Sequence, residues 1–143
     1  MAEETKGNSK VGNIIMLSIA TNRTPSWNFW KASRNIQPPI NTTFAADLVI
    51  GKPVDVARNE LVEHAKQAGA RYMLLVDDDI LPPSDGLIKL FHQMVNGKGR
   101  VKVVSGVYYT KNQPPVPVIL DRNMPGGIVD WVMGEIIECD YAG

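Results

Sequence analysis

The segment Arg71-Tyr72-Met73-Leu74-Leu75-Val76-Asp77-Asp78-Asp79-Ile80-Leu81-Pro82-Pro83 passes from an unbroken apolar run into three consecutive carboxylates and then into two prolines. The run is short, follows Gly69 and shows no polar alternation, which is the pattern of a parallel strand buried on both faces. The acids therefore emerge at its C-terminal end. Ligands of open α/β sheets bind in the crevice beyond that end of the strands.

Three adjacent aspartates repel one another, which raises their pKa values unless a positive group lies close. In an extended strand alternate side chains share a side, so the spacing predicts that Asp77 and Asp79 converge while Asp78 points away. Two converging carboxylates suit a hard divalent cation, Mn2+ or Mg2+, with water and phosphate oxygens completing its shell. The plainer reading of the same residues is a solvated acidic loop leading into the next helix. The strand context favours the cation.

Working outward, residues 13 to 20 (Asn-Ile-Ile-Met-Leu-Ser-Ile-Ala) read as a first, central strand ending at Thr21-Asn22-Arg23. Thr24 followed by Pro25 predicts a helix start with Thr24 as the cap. That helix carries Trp27 and Trp30 on one face, where packing against the sheet is favoured over stacking on a base or sugar. Gln37-Pro38-Pro39 is a break, and residues 41 to 50 suggest one or two short strands closed by Gly51-Lys52-Pro53.

Asp55 to Ala68 reads as an amphipathic helix with a stripe of Ala57, Leu61, Ala65 and Ala68, widened by Val54 and Val62, and stopped by Gly69. Arg58 and Asn59 lie near its start, where free N–H groups help to hold an anion. Beyond the acidic run, Ser84 is the candidate cap of a helix through Val95 with Leu87, Leu90, Phe91 and Met94 buried. Residues 101 to 109 read as a further strand, Pro114 to Pro117 as a stiff connection, and 118 to 120, 128 to 133 and 135 to 139 as later extended segments around a loop at 123 to 127. His64 and His92 each stand alone on a helix without metal-ligand spacing.

The order strand, helix, strand, helix, strand, helix, strand implies an α/β fold: a mostly parallel sheet with crossover helices and a partly antiparallel C-terminal extension. At 143 residues the chain suits one domain, taken as 13–143 behind a flexible 1–12. Fifteen basic and fifteen acidic residues give no net charge, which offers no bulk attraction for nucleic acid or an anionic membrane. The single Cys139 excludes an internal disulfide and a cysteine-rich zinc site. A reducing, cytoplasmic setting is the expectation. Met1 to Lys10 is polar with no apolar signal core, and no run approaches a transmembrane segment.

Neither a Gly-x-Gly-x-x-Gly after the first strand nor a Gly-x-x-x-x-Gly-Lys-Ser/Thr loop is present. Phosphate must instead be handled by a metal and by side chains. Arg58 suits phosphate oxygens, its alternative being a surface pair with Asp55 three residues earlier.

The ordered set Val54-Asp55-Val56-Ala57-Arg58-Asn59, an alanine-containing helix and Gly69 to Asp79 resembles the nucleotide-sugar-binding half of glycosyltransferases with the glycosyltransferase A fold. Ser105 to Tyr109 and Asp140 to Gly143 also look like segments of that family, so the resemblance covers about residues 13 to 143. It implies a Rossmann-like, nucleotide-diphospho-sugar transferase-like fold. The Asp-x-Asp signature falls on Asp77 and Asp79 as metal ligands, Asp79 the firmer, with Asp77 also near the ribose. Thr21, Arg58, Asp77 and Asp78 form the nucleotide-binding set, and Mn2+ or Mg2+ the cofactor.

The implied reaction passes a sugar from a nucleoside diphosphate sugar, commonly a UDP-sugar in the family, to a carbohydrate or other hydroxyl acceptor. In such enzymes an acceptor-binding part follows the segment resembling Asp140 to Gly143. The chain is therefore expected to lack that part and to act as a donor-binding portion, with Asp140 a candidate for the acceptor's base only through being acidic and late. A non-catalytic module that binds nucleotide or protein is the alternative. A sugar nucleotidyltransferase ranks lower, because the family pattern needs a glycine-rich basic loop where Thr21 to Pro25 has one arginine and no glycine.

Overall fold

The computed structural model describes residues 13–120, 132, 137, 141 and 142. The expected loop at 123 to 127, the segments 128 to 133 and 135 to 139 in all but residues 132 and 137, Cys139 and Asp140 lie outside them. The chain divides into two compact units, Met1–Ile88 and Lys89–Gly143.

The first unit is an α/β arrangement built on a three-stranded parallel sheet. Strand β1 (Asn13–Thr21) is central, with β2 (Thr42–Ile50) on one side and β3 (Tyr72–Leu75) on the other. Ile15 to Thr21 are all buried, as expected of a strand with neighbours on both edges. The register sets Ser18 against Asp47 on β2 and Leu75 on β3. Residues 42 to 50 thus form one nine-residue strand rather than two short ones. β3 is less buried than its apolar run implies: Tyr72 to Leu74 are half-buried and Leu75 is exposed, because β3 has a partner on only one edge among the described residues.

Helix α1 (Trp27–Arg34) starts two residues later than the sequence suggests. Ser26, with extended φ −66° and ψ 157°, is the cap, and its hydroxyl accepts from the Phe29 N–H at 3.1 Å. The side-chain bond to the free Phe29 N–H is what marks Ser26 rather than Thr24 as the cap. The helix face also differs. Phe29 and Ser33, four residues apart, are buried, whereas Trp27 is 74% exposed and Trp30 rests edge-on against Phe29 at 5.7 Å.

Helix α2 (Val54–Gln67) follows the predicted stripe through Ala57, Leu61 and Ala65 but leaves Val54, Val62 and Ala68 exposed. Leu61 and Ala57 are fully buried against Ala20, Val49 and Met73, which fastens α2 to the sheet. Full burial of one leucine contributes roughly 1.5–3 kcal/mol. Gly69 ends the helix at φ +67°, with Ala70 N–H on the Ala65 carbonyl at 2.9 Å and Gly69 N–H on that of Lys66 at 3.0 Å. This paired closure needs the left-handed backbone that glycine adopts freely.

Helix α3 (Gly86–Asn96) buries Leu87 and half-buries Leu90, Phe91 and Met94. Ser84 lies in the turn before it.

In the second unit, Val101 to Tyr108 form no strand, contrary to the apolar pattern. β-branched residues make a strand only where a neighbour accepts the ladder, and Val103 is 84% exposed. The end of the run pairs with the chain that follows it: Thr110 N–H donates to the Val116 carbonyl and Val118 N–H to that of Tyr108, both at 2.8 Å, around the antiparallel bridge Tyr109–Pro117. Strands β4 (Ile119–Leu120) and β5 (Tyr141–Ala142) are antiparallel, as expected for the C-terminal extension. Among the described residues no helix is long and apolar enough to cross a membrane.

Candidate functional site

From β1 the chain steps outward to β2 and then crosses back to β3 on the far side of β1. The order reverses between β1 and β3, so their carboxyl ends flank the crevice where open α/β sheets bind ligands. A cleft of about 640 Å3 opens there. Its walls are Ala20, Thr21 and Asn22 at the end of β1, the run Gly51 to Val54 with Arg58 after β2, and Asp77 to Asp79 after β3.

β3 stops at Leu75, and Val76 N–H makes one further bond to the Ser18 carbonyl at 3.2 Å. The aspartates then turn, with Ile80 N–H closing on the Asp77 carbonyl at 3.1 Å. Side-chain alternation applies only within a strand, and the expectation for Asp78 is accordingly overturned. Asp78 does not point away: its Oδ2 accepts from the Thr21 hydroxyl at 2.6 Å and from Arg23 Nε at 3.2 Å.

Thr21 is buried at the end of the central strand. Its oxygen also accepts the Arg23 N–H at 3.2 Å, and its carbonyl accepts the Gly51 N–H at 2.9 Å. Gly51 turns at φ +77°, a conformation that carries the chain from β2 into the cleft wall and disfavours any side chain.

The Thr21 hydroxyl holds the Asp78 carboxyl below the usual carboxylate value, outweighing the opposing effect of partial burial, and Arg23 lowers it further. This is the reverse of the rise expected from carboxylate repulsion. A depressed carboxylate contributes stability that is fully present above its unfolded value, 3.8, and is lost as pH falls through the lower folded value. Thr21→Val removes the hydroxyl and keeps the shape. The stability difference between wild type and Thr21→Val in urea is expected to be larger at pH 6 than at pH 2, with the Asp78 carboxyl titrating higher in the variant by NMR. An unshifted Asp78 titration would contradict this account.

Arg58 takes neither an isolated position nor Asp55: its Nη2 donates to Asp77 Oδ1 at 2.8 Å. The predicted set of Thr21, Arg58, Asp77, Asp78 and Asp79 therefore meets in one cleft, from stretches far apart in sequence. Comparisons with family models, curated proteins and solved structures gave no match. The glycosyltransferase resemblance accordingly stands on the quoted residues.

Among the described residues no group of three or more His, Cys, Asp or Glu side chains forms a metal-binding cluster. Mg2+-type ions characteristically take one or two carboxylates and complete their shell with water and substrate phosphates. The all-oxygen donors of Asp77 to Asp79, lining an open cleft, fit that mode.

Sequence reading passed over Arg23 and Lys52, treating both as parts of connecting segments. Their signal was position, since each follows the carboxyl end of a strand. Lys52 Nζ pairs with Glu60 on α2. His64 is likewise not solitary: Nδ1 meets Asp47 Oδ2 at 2.7 Å, and Nε2 lies 3.9 Å from Glu60.

Proposed function

We propose that the cleft binds a nucleoside diphosphate sugar together with Mn2+ or Mg2+, and that the chain is a metal-dependent glycosyltransferase of the glycosyltransferase A type, or the donor-binding portion of one. The observation that carries this reading is the meeting of Thr21, Arg58 and the three aspartates in one cleft at the reversal point of the sheet.

In this reading Asp77 and Asp79 present carboxylate oxygens to the cation, Asp79 more firmly. Thr21 and Asp78 lie toward the nucleoside. Arg58 turns its planar set of donors to the phosphates. The cation, when bound, neutralises charge on the departing nucleoside diphosphate. Arg58 adds fixed positive charge where that negative charge develops, which is how a preorganised donor lowers a barrier. In an inverting reaction the acceptor hydroxyl attacks the anomeric carbon from the face opposite the leaving group. Asp140, the late acidic candidate for the accepting base, lies outside the described residues.

The test is calorimetric titration of a panel of nucleoside diphosphate sugars, UDP-sugars first, with Mn2+ and then with a chelator. One donor is expected to bind in Mn2+ and to lose roughly tenfold or more of its affinity on chelation. Equal binding under both conditions would sink the proposal.

A further inference from the structure

Asp77 and Asp78 in the cleft each already hold a guanidinium: Asp77 binds Arg58 at 2.8 Å and Asp78 binds Arg23 at 3.2 Å. The partners differ in how firmly they are placed. Asp78 is only 17% exposed and is fixed from below by the Thr21 hydroxyl, whereas the Arg23 side chain is 68% exposed on the rim. Arg58 is 45% exposed and reaches Asp77 from α2. Asp78 is thus the anchored member of its pair and Arg23 the one able to move, while in the second pair both side chains are about half exposed, 45% for Arg58 and 52% for Asp77, and neither is fixed. Exposed ion pairs of this kind are weak, so their exchange is within reach of a binding event.

A divalent cation arriving alone meets carboxylates that are already neutralised, with two guanidinium charges beside them. A diphosphate arriving alone meets arginines already engaged by carboxylates. Each ligand supplies the counter-charge that the other displaces. Building on the donor-and-cation reading above, we infer that Arg23 and Arg58 are exchangeable counter-ions. They turn from Asp78 and Asp77 to phosphate oxygens when a divalent cation settles on Asp77 and Asp79 and its charge repels both guanidinium groups, so that cation and diphosphate bind as a coupled pair. Arg23, unassigned by the sequence, thereby becomes a phosphate-binding residue. The coupling is reciprocal by linkage: whatever factor the cation adds to diphosphate affinity, the diphosphate adds to cation affinity.

The experiment uses the whole chain, Mn2+ and inorganic pyrophosphate, with titrations corrected for the Mn2+–pyrophosphate complex that forms in solution. In the wild type each ligand is expected to raise affinity for the other by about tenfold or more. Arg23→Gln and Arg58→Gln keep chain length and polarity but remove the charge, and both sites are exposed enough for the fold to persist, as circular dichroism checks. Each variant is expected to bind Mn2+ alone several-fold more tightly than wild type, and the double variant to retain a coupling of less than about threefold.

Wild-type binding of both ligands with no mutual enhancement would overturn the counter-ion exchange while leaving the donor reading intact. Full coupling in a folded double variant would do the same. Failure of wild type to bind Mn2+ with pyrophosphate, or any nucleoside diphosphate sugar with Mn2+, would remove the donor reading and the exchange together.

Discussion

Replacing Asp79 with alanine is expected to weaken binding of a nucleoside diphosphate sugar at fixed Mn2+ by about 100-fold, or ~2.8 kcal/mol. The size follows from the sparse donor set. A cation held by two carboxylates and by its ligand loses half of its protein charge with one of them. The substitution leaves the Thr21–Asp78 and Arg58–Asp77 bonds in place, and urea unfolding of the variant separates any change in folding from the loss of binding. Calorimetry in Mn2+ measures the loss, and Asp55→Ala, on the first turn of α2 and outside the cleft, serves as the control. A change of less than threefold in Asp79→Ala would remove Asp79 from the cation's shell.

Leu61→Ala carries the largest expected cost to the fold. Leu61 is fully buried in the cluster that holds α2 to β1 and β2, with Ala20, Val49 and Ala57 around it. Truncating a buried leucine costs about 2–5 kcal/mol through lost transfer energy and the cavity left behind. Equilibrium urea unfolding is expected to show a loss near 3 kcal/mol. The neighbouring Val62→Ala, on the exposed side of the same helix, should cost less than about 1 kcal/mol. Equal losses for the two variants would place the buried face of α2 elsewhere. Because Arg58 lies one turn before Leu61, the core variant should also lose donor affinity, whereas the surface variant should not.

Elements whose apolar residues follow a plain pattern were legible in advance: β1 as a largely apolar run, β3 as an unbroken one although it is only partly buried, and α2 as a stripe at helical spacing ended by Gly69. β2 was blurred by Ala45-Ala46-Asp47, where Asp47 reads as a break until its side chain is seen to meet His64 across to α2. The strand expected at 101 to 109 failed because apolar composition does not supply an edge to pair with. The error at α1 was local: two hydroxyl residues flank Pro25, and only the Ser26 hydroxyl, which accepts the Phe29 N–H, decides between them.

At the site, the residue types were readable but their directions were not. Asp77, Asp79, Arg58 and Thr21 lie where their positions at element ends implied. Asp78 was assigned to the nucleotide, yet its inward aim depended on β3 ending two residues before the acids. Arg23 and Lys52 had no pattern of their own, since an isolated basic residue after a strand looks like any other loop cation.

One residue joins the two sides of the cleft at its base. Thr21 grips Gly51 through its main-chain oxygen and Asp78 through its side chain, so the inner width is pinned at a single point. A bulkier guest therefore cannot be accommodated by spreading the floor. Tolerance for different ligands must come from the outer walls, where Lys52 and Arg58 extend on long, bendable stems, and selection by size must be strictest for whatever group is inserted deepest.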